Sequence, residues 1–382
     1  MPVLTIPVEP GPRKLGALAD AAGEAAVAAV QEAAQGLRRL RVVHLATPPF
    51  APRALDLLRS TVPLLRDCGL DVRWLAVAGD ERADAASRAV GDALRGGEVG
   101  PDEDVRAWRD RGALAAAEVP RGTDVVVVHG AEGLALLGGA AEMPAPAPRW
   151  VWWVEGDLSH GRVPDDLVGH AEIVVVEHED FAPAGVAARA IAPAVDPLAP
   201  RNLAMDPRTA GALARTAGVE LTRPFIVHTT DVDGWSAPED ALAALHAAQD
   251  AGADGLQLAI AAHLPAGDAR AWRTLGELSD HVAGEDGVLV APDVGGAGDA
   301  EVNALQRLAR VAIGPRADTG IAEARWKGTP AVLDGDGARI AELVADPGLA
   351  IETGRAEREE VREHGLVTRL LADQLDLFAG LA

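Results

Sequence analysis

Apolar residues along this chain fall into two patterns that alternate. Short, nearly unbroken apolar runs stand at residues 41–46, 71–78, 124–129, 150–154 and 173–176. Between them apolar residues recur every three or four positions. In 54–69 these are Leu55, Leu58, Val62 and Leu65, closed by Gly69, and a second such segment is 82–94. Helical spacing gathers apolar side chains on one face, whereas a Val-rich run suits a parallel strand covered on both faces. An Ala-rich stretch at 15–40 has helical spacing and predicts a peripheral helix ahead of the first strand.

The alternation starts again near residue 223. Strands are predicted at 225–229, 256–261, 288–291, 311–313 and 331–333, and helices at 238–251, 269–282, 300–309 and 320–326. Strand and helix alternating twice over predicts an α/β chain of two Rossmann-like, doubly wound parallel-sheet domains facing a cleft. The Pro-rich, irregular segment 191–207 reads as the connection between them. The domains are placed at 1–195 and 196–355. A final helical region, 356–382, has no following strand and is free to cross back onto the first domain. A chain of 382 residues suits two domains better than one. Alternation alone fits several two-domain classes: glycosyltransferases, periplasmic-type binding proteins and some epimerases.

Composition narrows the classes. Hydrophobic residues at 48% supply a full core and exclude wholesale disorder. A net charge of −23 argues against a basic face for nucleic acid or for anionic lipid, and reads as general solubility. Arginine carries nearly all positive charge, the only lysines being Lys14 and Lys327. The single cysteine, Cys68, excludes an internal disulfide and a Cys-based zinc site, and is expected as a small buried hydrophobe on a helix. The N-terminus lacks a basic start followed by an apolar run, and no apolar stretch is long enough to span a membrane. The expectation is a soluble cytoplasmic protein without membrane insertion.

Particular stretches choose among the classes. Val302-Asn303-Ala304-Leu305-Gln306-Arg307, followed by Glu323-Ala324-Arg325-Trp326-Lys327-Gly328-Thr329-Pro330, strongly resembles trehalose-synthase-type retaining glycosyltransferases of glycosyltransferase family 4. In that family an "NALQR" helix leads to a glutamate motif ending "EALWKGTPV". In the same order, 43–45 and 64–74 resemble the family's first strand, helix and second strand, and 124–129 its "DVVVxHD". Residues 150–159 resemble "WVWRCHIDLS", and Pro193-Ala194-Val195-Asp196-Pro197-Leu198 the "PPAIDPLS" hinge. The likeness runs through most of the chain. It implies a GT-B fold, a nucleotide sugar bound mainly on the C-terminal domain, and retaining transfer of glucose to glucose, usually without a metal. Such chemistry needs positive charge beside the diphosphate, where the leaving group gains negative charge.

The departures from the family fall on that chemistry. The family's "SRFDPWKDP" segment clamps the diphosphate with Arg and Lys. Here Asp231 stands at the Arg position and Ser236 at the Lys position, with Asp233, Trp235 and Pro238 in register. At about 4 Å and an effective dielectric of ~20, a carboxylate repels a phosphate charge by roughly 4 kcal/mol. The alternative is that another arginine, such as Arg316 or Arg325, reaches in to substitute. Pro48-Pro49-Phe50-Ala51 replaces a "GGGV" loop, and prolines remove amide donors. The family's "HID", whose His is an active-site residue, reads Glu155-Gly156-Asp157; Asp157 and Ser159 are retained, and so is the strand-end His129. Of the family's glutamate pair, Glu323 matches the second, near the ribose, and Asp318 is the only acid near the first. Beyond Pro330 the "GGIP…GFLV" passage is missing: Gly335-Asp336-Gly337 runs directly into 340–344.

The resulting candidates are Asp157, His129 and Asp318 for catalysis, and Glu323, Asp231, Ser236 and Arg316 for holding the donor. Each has a structural reading beside it. Asp157 orients an acceptor sugar or caps a turn. His129 lines a cleft or is a satisfied buried histidine. Glu323 binds ribose or sits on a helix surface. Lys327 is read as solvated, and Trp326 as packed. Trp150, Trp152 and Trp153 are read as core, with one ring left for the cleft. Residues 177–180, Glu-His-Glu-Asp, are consecutive and cannot all face one ion, so they read as a solvated acidic turn and no metal is expected. The Gly-rich stretch 293–299 reads as a flexible loop. Expected partners are a nucleotide sugar as donor substrate, a sugar acceptor and a second copy in a homodimer, with no other cofactor and no nucleic acid. Two functions stay open: a divergent retaining hexosyltransferase with an eroded donor site, and an inactive pseudo-glycosyltransferase that binds a sugar or nucleotide or pairs with a partner.

Overall fold

The computed structural model describes residues 5–47, 52–79, 81–97, 101–143, 145–232, 238–265, 269–315 and 318–382. The chain divides into two compact units: Met1–Ala192 with Thr368–Ala382, and Pro193–Val367.

The first unit holds strands β1 (Thr5–Val8), β2 (Arg41–Ala46), β3 (Asp71–Val77), β4 (Val125–His129), β5 (Arg149–Val154), β6 (Ile173–Val176) and β7 (Ala188–Ala190). They form one sheet in the order β1-β3-β2-β4-β5-β6-β7. Only β1 runs antiparallel, at the edge beside β3. Its helices are α1 (Ala19–Ala22), α2 (Glu24–Ala34), α3 (Pro52–Asp67), α4 (Glu81–Leu94), α5 (Asp102–Ala116) and α6 (Asp165–Val168). Side chains alternate between the sheet faces. Val43, Leu45, Val126, Val128, Trp150 and Trp152 join one core with Val90, Leu94, Trp108 and Leu134. Val42, His44, Val125, Val127, Val151 and Trp153 are buried on the opposite face. Coverage of both faces is why the strands read as unbroken apolar runs.

The expected helix over 15–40 is interrupted at Gly23, which takes a φ of 88° between α1 and α2. Helix α5 lies outside the sequence expectation, although Pro101 followed by Asp102, Glu103 and Asp104 is a favourable helix start. Glycine is required where α5 meets the 3-10 segment Glu132–Glu142. A Cβ on Gly112 would overlap the backbone of Ala135, and one on Gly139 would overlap the side chain of Ala116. Gly112→Val is expected to destabilise unit 1 by about 1–3 kcal/mol. Thermal unfolding checks it, and an unchanged midpoint would show that the two segments can separate freely.

The second unit holds β8 (Phe225–Asp231), β9 (Gln257–Leu264), β10 (Val288–Val294), β11 (Val311–Gly314) and β12 (Ala331–Leu333), all parallel, in the order β10-β9-β8-β11-β12. Its helices are α7 (Pro207–Thr216), α8 (Pro238–Asp250), α9 (Ala269–Val282), α10 (Asp299–Leu308), α11 (Thr319–Trp326), α12 (Gly337–Ala345) and α13 (Pro347–His364). Ile226, Leu258, Ile260, Val311 and Ile313 fill one face. The other face presents Ala259, Ala261 and Ala312, and these small residues pack with Ala214 of α7, Val302 and Leu305 of α10 and Ala324 of α11.

The single helix expected near 356–377 is two, α13 and α14 (Val367–Ala379), broken at Gly365-Leu366. There the Val195 amide donates to Gly365 O at 2.8 Å and the Val367 amide donates to Val195 O at 2.9 Å. Helix α14 packs within the first unit. Its Arg369 donates to Ala192 O, its Asp376 accepts from Arg189, and Leu371, Leu375 and Phe378 are buried.

Strand order reverses between β2 and β4 in one sheet and between β8 and β11 in the other. Ligands of doubly wound sheets bind beyond the strands' carboxyl ends at such points.

Candidate functional site

In the first unit, the carboxyl ends of β4, β5 and β6 deliver His129, Glu155-Gly156-Asp157 and Glu177. His129 is fully buried and both ring nitrogens are engaged. Nδ1 lies 2.8 Å from Glu155 Oε1, and Nε2 lies 3.0 Å from His44 Nδ1. Burial pushes His129 down to about 3, and pushes His44 well below the usual histidine range with help from its histidine neighbour, so both are neutral. To touch a substrate His129 would have to give up one of these bonds; the arrangement is that of a satisfied core histidine. Glu155, at the place of the family's active-site His, is buried and turned inward to His129.

Gly156, with a φ of 97°, donates its amide to Glu177 Oε2 at 3.1 Å. Asp157 is exposed, and its Oδ1 accepts the Ser159 amide at 2.8 Å, the turn-capping geometry. Glu177 is buried, not part of a solvated turn, while His178 caps the short helix Glu179–Phe181 through the Asp180 amide. Among the described residues no group of three or more His, Cys, Asp or Glu could hold a metal ion. All three tryptophans of β5 are buried, so none is left for a cleft: Trp152 donates to Gly130 O, and Trp153 lies 6.2 Å from the His129 ring.

In the second unit, register aligns Asp231 of β8 with His263 of β9, and His263 with Asp293 of β10. Asp293 is buried. Its Oδ2 lies 3.0 Å from His263 Nδ1 and 2.9 Å from Arg201 Nη2, and its Oδ1 accepts the Gly298 amide at 2.7 Å. These contacts hold its carboxyl below the ordinary range against the opposing effect of burial, and they pin the turn that the sequence suggested as a flexible loop. Arg201 also pairs with Asp299 at 2.7 Å. Burial raises the Asp299 carboxyl despite that arginine. Ser236 and Arg316 lie outside the described residues, as do Pro48 to Ala51, Asp233 and Trp235.

Asp318 is the N-cap of α11, its Oδ1 accepting the Gly320 amide at 2.5 Å. Glu323 lies on the same helix. It is buried rather than on a helix surface: Asn202 Nδ2 stands 3.3 Å from Oε1, and Arg201 Nη1 stands 3.9 Å from Oε2. No described residue donates a hydrogen bond to Oε2.

Lys327, expected in solvent, is instead half-buried, with its ammonium turned into the fold. Its ammonium donates to Asn202 Oδ1 and Gln306 Oε1, both at 2.6 Å, and to Glu323 O at 3.3 Å. Burial brings it down to about 7. Trp326 is buried with the Arg358 guanidinium 5.1 Å above its ring. Asn303 and Arg307 donate to Leu203 O, and Thr329 donates to Gln306 O. The stretches around 196–203, 302–307 and 323–330 therefore interlock. Arg201, Asn202 and Gln306 are the members sequence reasoning missed; the signal was a lone lysine in an arginine-rich chain.

Two doubly wound parallel sheets of this kind define the GT-B class of glycosyltransferase fold. The structure superposes on a glycosyltransferase from Rickettsia africae with a TM-score of 0.60 at 12% identity, covering 90% of this chain and 98% of that one. It superposes on the α,α-trehalose 6-phosphate synthase of Burkholderia multivorans with a TM-score of 0.55 at 13% identity, covering 90% and 98%. Residues 55–181 match the family model of the trehalose synthase N-terminal domain. The chain is 29% identical to the trehalose synthase of Rubrobacter xylanophilus, over 92% of this chain and 93% of the relative. It is 23% identical to that of Pyrococcus horikoshii over 97% of each. Over most of its length the chain is similar to trehalose synthases, and its first unit carries the match to their N-terminal domain. Among the described residues no helix is long and apolar enough to cross a membrane.

Proposed function

We propose that this chain still handles a sugar in the manner of its family but no longer performs ordinary retaining transfer of glucose from a nucleoside diphosphate glucose. The observation that carries this reading is the acidic rim of the second unit. Asp231 ends β8 at the switch point, where the family places a diphosphate-binding Arg. Asp293, Asp299 and Glu323 stand on neighbouring elements, and the guanidinium among them, Arg201, is already bound to Asp293 and Asp299. Asp231 repels a diphosphate held there by roughly 4 kcal/mol at about 4 Å and an effective dielectric of ~20, and Arg201, engaged by its own acids, does not offset it. Function follows the site, not the fold.

A second reading, an active retaining hexosyltransferase with a rebuilt grip, is favoured by Glu323. Its buried Oε2, without a hydrogen-bond donor among the described residues, is a carboxylate oxygen suited to a ribose hydroxyl. Calorimetric titration with UDP-, ADP- and GDP-glucose, each with and without glucose or trehalose, separates the two. The first reading expects heat from a free sugar and none from the nucleotide sugars up to millimolar concentration. Micromolar binding of one nucleotide sugar, followed by disaccharide formation, would establish the second and sink the first.

A further inference from the structure

One face of the first sheet buries a run of polar groups among the strands: His44, His129 and Glu155. With Glu155 ionised, its carboxylate accepts from His129 Nδ1, so His129 Nε2 keeps its lone pair and accepts from His44 Nδ1. The chain of bonds fixes both tautomers and ends at His44 Nε2, an acceptor with no proton of its own. That atom is buried, and no group among the described residues donates to it.

The ring lying against His44 is Phe378 of α14, edge-on at 6.5 Å between centroids. One helical turn earlier on the same buried face is Gln374. It too is fully buried, and neither its amide nitrogen nor its amide oxygen has a hydrogen-bond partner among the described residues. Buried polar atoms in folded proteins are nearly always satisfied, and a buried water makes two to four bonds to such groups. Two acceptors and an amide donor within one packed layer are a matching set.

We propose that the layer between the first sheet and α14 contains a binding site for ordered water, joining His44 Nε2 to the Gln374 carboxamide. A water there donates to His44 Nε2 and to Gln374 Oε1 and accepts from Gln374 Nε2. It completes an internal relay that starts at Glu155 and docks the last helix on the sheet through a polar contact. The site is independent of whether the second unit binds a nucleotide sugar.

A high-resolution crystal structure of the full chain tests this directly. The expected result is an ordered water within hydrogen-bond distance of both His44 Nε2 and Gln374. A direct bond between the Gln374 amide and His44, or a layer without water, overturns it. The energetic arm compares Gln374→Leu, His44→Phe and the double variant by thermal unfolding. Each single change is expected to lower the midpoint by a few degrees, with the double variant lowering it by clearly less than the sum. Additive shifts would mean that the two side chains do not share a site. If His44→Phe fails to fold, nitrogen-15 NMR of the histidines replaces it: an unprotonated Nε2 on His44 supports the relay, and a protonated one refutes it.

Discussion

Unfolding of the first unit is expected to become easier as the pH falls from 6.5 to 5, well before carboxylates are titrated. His44 and His129 are neutral in the folded protein, because burial holds both below the 6.5 of a free histidine. The unfolded chain therefore takes up protons through pH 6.5 that the folded chain refuses. Stability is lost as pH falls, and at fixed pH the slope is about 1.4 kcal/mol per pH unit for each such group. Between pH 6.5 and 5 the pair should cost about 3 kcal/mol, since the unfolded histidines are already half protonated at 6.5; that is a large part of a typical domain's stability. Asp67 of the same unit, held below 3.8, withdraws its stabilisation only at lower pH, which leaves this window of the first unit to the histidines. Urea titrations at half-unit intervals measure the slope. His44→Leu should be less stable at pH 7.5 but lose about half of the pH dependence. A variant with the full wild-type slope would mean that the pair titrates without unfolding.

What the sequence disclosed and what it concealed follow from the range of the forces involved. The parallel strands β2 to β6 and β8 to β12 were legible because burial on both faces leaves a local mark, the unbroken run. The edge strand β1 was not: it is four residues long, contains Pro7, and buries Thr5 while exposing Ile6, and its pairing with β3 is a tertiary event. His129 was legible as a polar residue ending an apolar strand. Its partners Glu155 and His44 were not, since three separate strands bring them together. Departures from the family pattern at Asp231 and Glu155 could be read position by position. That Glu155 turns inward, and that Arg201 is held by acids from β10 and α10, needed the fold. Lys327 was misplaced for the same reason. Its residue type says solvent, while three acceptors from three segments hold it inside.

That enclosure makes Lys327 the second place where one change should have a large effect. A lysine ammonium offers three donors on a flexible stem, and here each meets an acceptor: Asn202 Oδ1, Gln306 Oε1 and Glu323 O. Lys327→Met fills a similar volume but leaves the two amide oxygens without their donor, at about 1–3 kcal/mol each when buried. Loss of the buried charge offsets part of this, so a net destabilisation of about 2–4 kcal/mol is expected, confined to the second unit. Lys327→Arg is not expected to rescue, because a planar fork cannot reach acceptors spread around one nitrogen. The pH dependence separates this account from simple loss of packing. Burial lowers Lys327 from 10.5 to about 7, so from pH 7 upward the folded protein sheds a proton that the unfolded chain keeps. Stability of the natural chain should therefore rise between pH 7 and 9, by up to about 2–3 kcal/mol. Above pH 9 the half-buried Cys68 thiol, pushed up to about 11, opposes the trend, because the unfolded chain then loses a proton that the folded one retains. Lys327→Met should abolish the rise. Denaturant unfolding of both proteins at pH 7, 8 and 9 provides the comparison; parallel curves would show that the ammonium stays charged in the fold, with the hydrogen bonds alone responsible for any loss.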